Sequence, residues 1–140
     1  MQVAEVEMNE IASSGYAEAF PPEVEFVISA LEAGPQPIVD RQRHPRLRHR
    51  VKAYLRLFSD AAAAGRRLLY TRQVSTRALG FLTEQALPLS HGGVISLAGP
   101  DGEVIDVNCA VLRCRMAAPG WYEGAVYFNR PQRAFEIGPG

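Results

Sequence analysis

The sequence predicts an all-β domain, a small closed antiparallel barrel or sandwich, preceded by one helix. Short apolar runs recur from residue 51 to residue 130, turn signals separate them roughly every ten residues, and few helical patterns lie between them. The chain has 140 residues, 47% of them hydrophobic, which suffices for one core and not for two ordinary ones. The implied organisation is an acidic extension over residues 1–40, a barrel domain over 41–133 and a short tail over 134–140.

Residues 1–20 are polar and acidic without sustained periodicity, and a weakly ordered arm is expected there. "PPEVEFVISALEAGPQP" predicts a helix over 22–33, with Pro22, Glu23 and Glu25 in its first turn and Gly34 then Pro35 as its stop. Val24, Val27, Ile28 and Leu31 fall at i, i+3, i+4 and i+7 and form a narrow apolar stripe. Docking on the chain's own core is the first expectation for that stripe, and a dimer contact is the alternative. "RQRHPRLRHR", residues 41–50, follows, and Pro45 restrains it as an extended basic arm.

"VKAYLRLFS" alternates as a strand, with Val51, Ala53, Leu55 and Leu57 on one face and Lys52, Tyr54, Arg56 and Phe58 on the other. "DAAAAGRR" reads as a turn at Gly65 whose alanines are compatible with one helical turn. "RLLYTRQVST", "GGVISLAG", "VIDVNCAVLRCRM" and "WYEGAVYFNR" read as the second to fifth strands, and the turn signals "SHGG", "GPDGE" and "APG" divide the later ones. The odd separation of Cys109 and Cys114 predicts opposite faces of one strand and no mutual disulfide. Trp121 and Tyr122 are candidates for an exposed surface.

Charge is unevenly distributed. Residues 1–40 hold Glu5, Glu7, Glu10, Glu18, Glu23, Glu25, Glu32 and Asp40 and no Lys or Arg, although the formal net charge of the chain is zero. The acidic part either lies on its own basic body or leaves that body to attract an anion. All the basic residues except Lys52 are arginines, a side chain suited to bidentate grip on phosphate and to stacking on flat rings.

Catalytic patterns are sparse. His44, His49 and His91 have no metal-ligand spacing with each other or with the cysteines, no Gly-rich phosphate loop occurs, and Ser90 beside His91 reads as a turn. A binding protein rather than an enzyme is expected, with no cofactor and no metal. The first residues lack the basic start and apolar run of a secretory signal, and no apolar run approaches the roughly 20 residues that span a bilayer. A cytoplasmic protein without membrane insertion is therefore expected. Aromatics do not interleave with the arginines of the arm, which disfavours a nucleic acid polymer as ligand.

"RQRHPRLRHRVKAYLRLF", "RQVSTRALGF", "LPLSHGGVISLAG", "VNCAVLRCRM" and "WYEGAVYF", in that order, resemble a PilZ domain, the bacterial receptor module for cyclic diguanylate. The resemblance covers roughly residues 41 to 130. It implies a six-stranded antiparallel barrel, with an RxxxR motif on the arm and a D/NxSxxG motif on the barrel clasping the dinucleotide. Aligned on His44, Pro45 and Arg46, the second arginine of RxxxR is Arg46 and the first position is Gln42, flanked by Arg41 and Arg43. In the second motif Gln73 replaces Asp or Asn, Ser75 matches, and Ala78 replaces Gly, with Gly80 two residues late.

The resemblance therefore implies a ligand site at Arg41, Gln42, Arg43, Arg46, Gln73, Ser75 and Ala78. Its departures have a size. An uncharged amide at 73, a lost cation at 42 and, if the backbone at 78 takes positive φ, the added methyl there together weaken binding by about two to three powers of ten, with Arg41, Arg43, Arg48 and Arg77 as candidate replacement cations. Two functions follow, a cyclic diguanylate receptor or adaptor with a weakened site that passes its signal to a downstream protein partner, and a degenerate interaction module that no longer binds the nucleotide. In the first, the acidic arm over 1–20 is expected to compete with the ligand.

Overall fold

The computed structural model describes residues 20–33 and 46–136. Arg41, Gln42, Arg43, the acidic arm over 1–19, the Gly34–Pro35 stop and residues 137–140 lie outside them. The alternation of residues 51–57 becomes a strand whose inward side chains, Val51, Ala53, Leu55 and Leu57, are each at most 1% exposed. Chain order is helix α1 (Pro22–Ala33), then strands β1 (Leu47–Arg48), β2 (Lys52–Leu57), β3 (Arg67–Val74), β4 (Ala78–Thr83), β5 (Gly92–Ala98), β6 (Val104–Ala118) and β7 (Trp121–Phe128). Short 3₁₀ turns occur at Ala62–Ala64 and Arg133–Phe135.

Two antiparallel meanders, β2-β3-β4 and β5-β6-β7, are joined by β2 against β5 and β4 against β7. The result is a closed six-stranded antiparallel barrel, with β1 as an extra strand on β3. Closure removes free sheet edges and resolves the barrel-or-sandwich alternative in favour of the barrel. Its interior is filled by the β2 residues together with Leu69, Phe81, Ile95, Val126 and Phe128. Phe135, placed by the sequence in the tail, is also fully buried there, with its ring 6.2 Å from that of Phe128.

β4 is absent from the five runs read in the sequence. "ALGFLT" carries no polar residue to mark its outer side: Leu79 and Phe81 point into the barrel, the half-exposed outer positions hold the small Ala78 and Gly80, and Leu82 points out beneath α1. Without polar residues at alternate positions a strand lacks the period by which a half-exposed one is read.

Helix α1 lies on the outer wall formed by β3, β4, β7 and the end of β6. Val24, Val27, Ile28 and the partly buried Leu31 pack on Tyr70, Leu82 and Trp121. The apolar stripe is thus covered by the chain's own barrel, as first expected, and the alternative of a dimer through the helix finds no support. Trp121 is not a surface residue: it is 5% exposed and donates its indole N–H to Glu23 Oε2 at 3.1 Å. On the same wall Arg50 donates to Glu25 Oε1 at 2.8 Å and to Glu32 Oε2 at 3.3 Å, two carboxylates spaced two helical turns apart. Acidic groups of the first 40 residues therefore do lie on the basic body.

The cysteine expectation is corrected in part. β6 carries a bulge between Val111 and Arg113, and the extra residue returns Cys114 to the inner side that Cys109 already occupies. Both thiols are free, and burial pushes that of Cys109 up to about 11. Among the described residues no helix is long and apolar enough to cross a membrane.

Candidate ligand-binding site

The basic arm joins the barrel through a kinked continuation of β2. Leu47 pairs with Val74 and Arg48 with Gln73, while Lys52 pairs with Tyr70, so the arm side carries one extra residue. Thr71 manages the kink. Its Oγ1 accepts from the Val51 N–H at 2.9 Å and donates to the His49 carbonyl at 2.5 Å. The end of the arm is thereby fixed beside the end of β3.

At that end the chain turns from β3 into β4 around Ser75. The Ser75 N–H donates to the Ala78 carbonyl at 2.8 Å, and the Ser75 Oγ accepts the N–H groups of Arg77 and Ala78, each at 3.2 Å. A short hydroxyl reaches its own turn in this way, and once its lone pairs are engaged the proton remains for an acceptor outside. Arg46, Gln73, Ser75, Ala78, Gly80 and Arg113 line one depression at this turn. Its volume of about 30 Å³ has room for a water or two, so a nucleotide would lie across it.

Of the residues implied by the resemblance, Arg46, Gln73, Ser75 and Ala78 are thus brought together. Arg41, Gln42 and Arg43 lie outside the described residues. The penalty expected at Ala78 is not met, because among the described non-glycine residues only Ser90 has positive φ, at 71°. Ala78 sits in ordinary strand geometry, where a methyl group brings no left-handed strain. Gly80 stands inside β4, directly opposite Gln73, and the irregularity lies on β3 between Thr71 and Gln73. Arg77, a candidate replacement cation, lies 4.7 Å over the Tyr127 ring and donates to the Tyr127 hydroxyl.

Sequence reasoning missed Arg113. "VLRCRM" was legible as a strand ending in basic residues, but the bulge that turns Arg113 outward toward the depression leaves no local signature. Arg113 also belongs to a cluster around Glu123 of β7, whose side chain is 4% exposed. Arg72 Nη1 approaches Glu123 Oε2 at 3.4 Å, Arg115 Nε approaches Oε1 at 3.2 Å, and Arg113 Nη2 donates to Oε2. Burial alone would raise the Glu123 pKa. The hydrogen bond and charge of Arg113, the charge of Arg72 and the hydrogen bond of Arg115 outweigh it and hold the carboxyl below its usual range. Of these three cations, Arg113 is the one that also lines the depression. The Nε of Arg72 is buried and has no partner among the described residues.

His49, another member of the basic stretch, is structural. Its ring is 3% exposed, with Nε2 2.7 Å from the Ala98 carbonyl and its centroid 5.5 Å from that of Phe135. Burial lowers its pKa, and the hydrogen bond to the Ala98 carbonyl opposes that only in part.

No protein-family model matches the sequence, and no curated protein matches it. Among solved structures, the Bacillus subtilis inhibitor of motility (MotI/DgrA) matches with a TM-score of 0.50 and 12% identity, over 66% of this chain and 44% of that one. The chain spans less than half the length of that protein, and at this identity the likeness is one of fold. The closed barrel common to both fits the PilZ-like fold that the sequence resembles.

Proposed function

We propose that the protein is a PilZ-like receptor and adaptor for cyclic diguanylate in bacterial second-messenger signalling, with a weakened site, acting by binding rather than catalysis in the cytoplasm. The observation that carries the reading is that Arg46 of the arm meets Gln73, Ser75 and Ala78, which come from two strands and the turn between them, at one depression. An arginine for phosphate, an amide for a guanine edge and a hydroxyl with a proton to give are the groups such a ligand needs. The ordinary geometry at Ala78 removes one source of weakening and leaves Gln42 and Gln73 as the main ones. The downstream partner is a protein, and the name of the structural neighbour makes motility the first process to test.

Calorimetric titration of the full chain with cyclic diguanylate tests the reading. Wild type is expected to bind with micromolar or weaker affinity, and Gln42→Arg and Gln73→Asp are each expected to tighten binding by about tenfold. No heat from wild type or from either variant at millimolar ligand would leave the degenerate interaction module as the better account.

A further inference from the structure

Arg113 occupies a position that neither motif explains. It lines the depression together with Ser75 and Gln73, and it hydrogen-bonds both oxygens of Glu123. The two partners differ in freedom, since the Arg113 side chain is 43% exposed and that of Glu123 only 4%. Arg113 is the strongest counterion of Glu123 but not the sole one, because Arg72 at 3.4 Å and Arg115 at 3.2 Å also hold it. Arg113 and Arg72 repel one another beside Glu123, so withdrawing Arg113 relieves that repulsion and leaves the buried anion paired with Arg72 and Arg115, at the loss of its strongest hydrogen bond. Arg72, the most buried of the three, is too enclosed for that role, and Arg115 is not among the residues lining the depression.

We propose that Arg113 is an exchangeable anion ligand, which releases Glu123 to clamp a phosphate of the bound cyclic dinucleotide alongside Arg46 and Ser75. This rests on the receptor reading and adds to it a cation from β6. The exchange has a built-in reporter. Trp121, the single tryptophan of the chain, stands two residues before Glu123 on the outer side of β7, and its indole is tied to Glu23 of α1. A change in the charges surrounding Glu123 alters the field at that indole.

The test is calorimetric titration of the full chain with cyclic diguanylate, accompanied by tryptophan fluorescence, for wild type, Arg113→Ala, Arg113→Gln and Arg115→Ala. Urea unfolding identifies any variant that is no longer folded, and Arg113→Gln retains a hydrogen-bond donor toward Glu123 should the alanine variant fail. Loss of Arg113 is expected to weaken binding by about tenfold to a hundredfold, to flatten the salt dependence and to abolish the ligand-induced fluorescence change. Arg115→Ala, which also removes a partner of Glu123, is expected to stay within about threefold of wild type. Equal affinity in wild type and Arg113→Gln, or equal losses in the Arg113 and Arg115 variants, overturns the exchange and leaves the receptor reading standing. Absence of binding by wild type, Gln42→Arg and Gln73→Asp alike removes both.

Discussion

His49 entered the sequence as part of a basic arm, yet its ring is enclosed between the Ala98 carbonyl and Phe135. Burial depresses the pKa of this ring below the ordinary 6.5 and favours its neutral form. The unfolded chain takes up a proton near 6.5 while the native chain resists it, so stability is full above that pH and falls as pH drops toward the native value. The slope from this one group is at most about 1.4 kcal/mol per pH unit. Urea midpoints at pH 7.5, 6.0 and 5.0 should therefore fall more steeply for wild type than for His49→Gln. Parallel curves would show that His49 contributes no pH dependence. At this scale Ser75 and Gln73 were legible, because a motif fixes their spacing and a turn fixes their geometry. Arg113 and the buried face of Trp121 were not, since each depends on a partner far away in sequence.

The elements show the same division. Helix α1 was readable at residue resolution, with Val24, Val27 and Ile28 all buried, because a helix on an outer wall keeps one wet side and hence its period. β4 was hidden because no polar residue marks its outer side, where Ala78 and Gly80 are half-exposed and Leu82 lies under α1. β6 was found but misread, since the bulge near Arg113 shifts the inside–outside sense of everything after Val111. That bulge relies on Gly124 across the ladder. A methyl group there would fall on the Arg113 carbonyl oxygen and 2.8 Å from the Phe81 ring. Gly124→Ala is expected to destabilise the barrel by about 3 kcal/mol in urea unfolding. Gly80→Ala, whose nearest neighbour is 3.7 Å away, is expected to be neutral or stabilising by about 0.5 kcal/mol. Similar behaviour of the two variants would show that β6 and β7 do not approach as closely at Gly124 as described.

Across the whole molecule, the charge asymmetry of the sequence is partly resolved within the chain, with Glu25 and Glu32 on Arg50 and Glu123 amid three arginines. Arg46 and Arg113 stand where the arm, β3, β4 and β6 meet; motif spacing located the candidate site there, while its membership from β6 was not legible. The barrel itself closes through two distant seams, such as Leu55 against Ile95 and Gly80 against Ala125. Such non-local pairing predicts folding in milliseconds to seconds, and stopped-flow refolding complete within microseconds would contradict the topology.

The two seams also govern what happens while the chain is being made. The meander β2-β3-β4 is complete at Thr83, but its β2 edge can be covered only once β5 is finished at Ala98, and its β4 edge only once β7 is finished at Phe128. At about 5 to 20 residues per second, that leaves the first edge waiting for roughly 1 to 3 s and the second for roughly 2 to 9 s on every nascent chain.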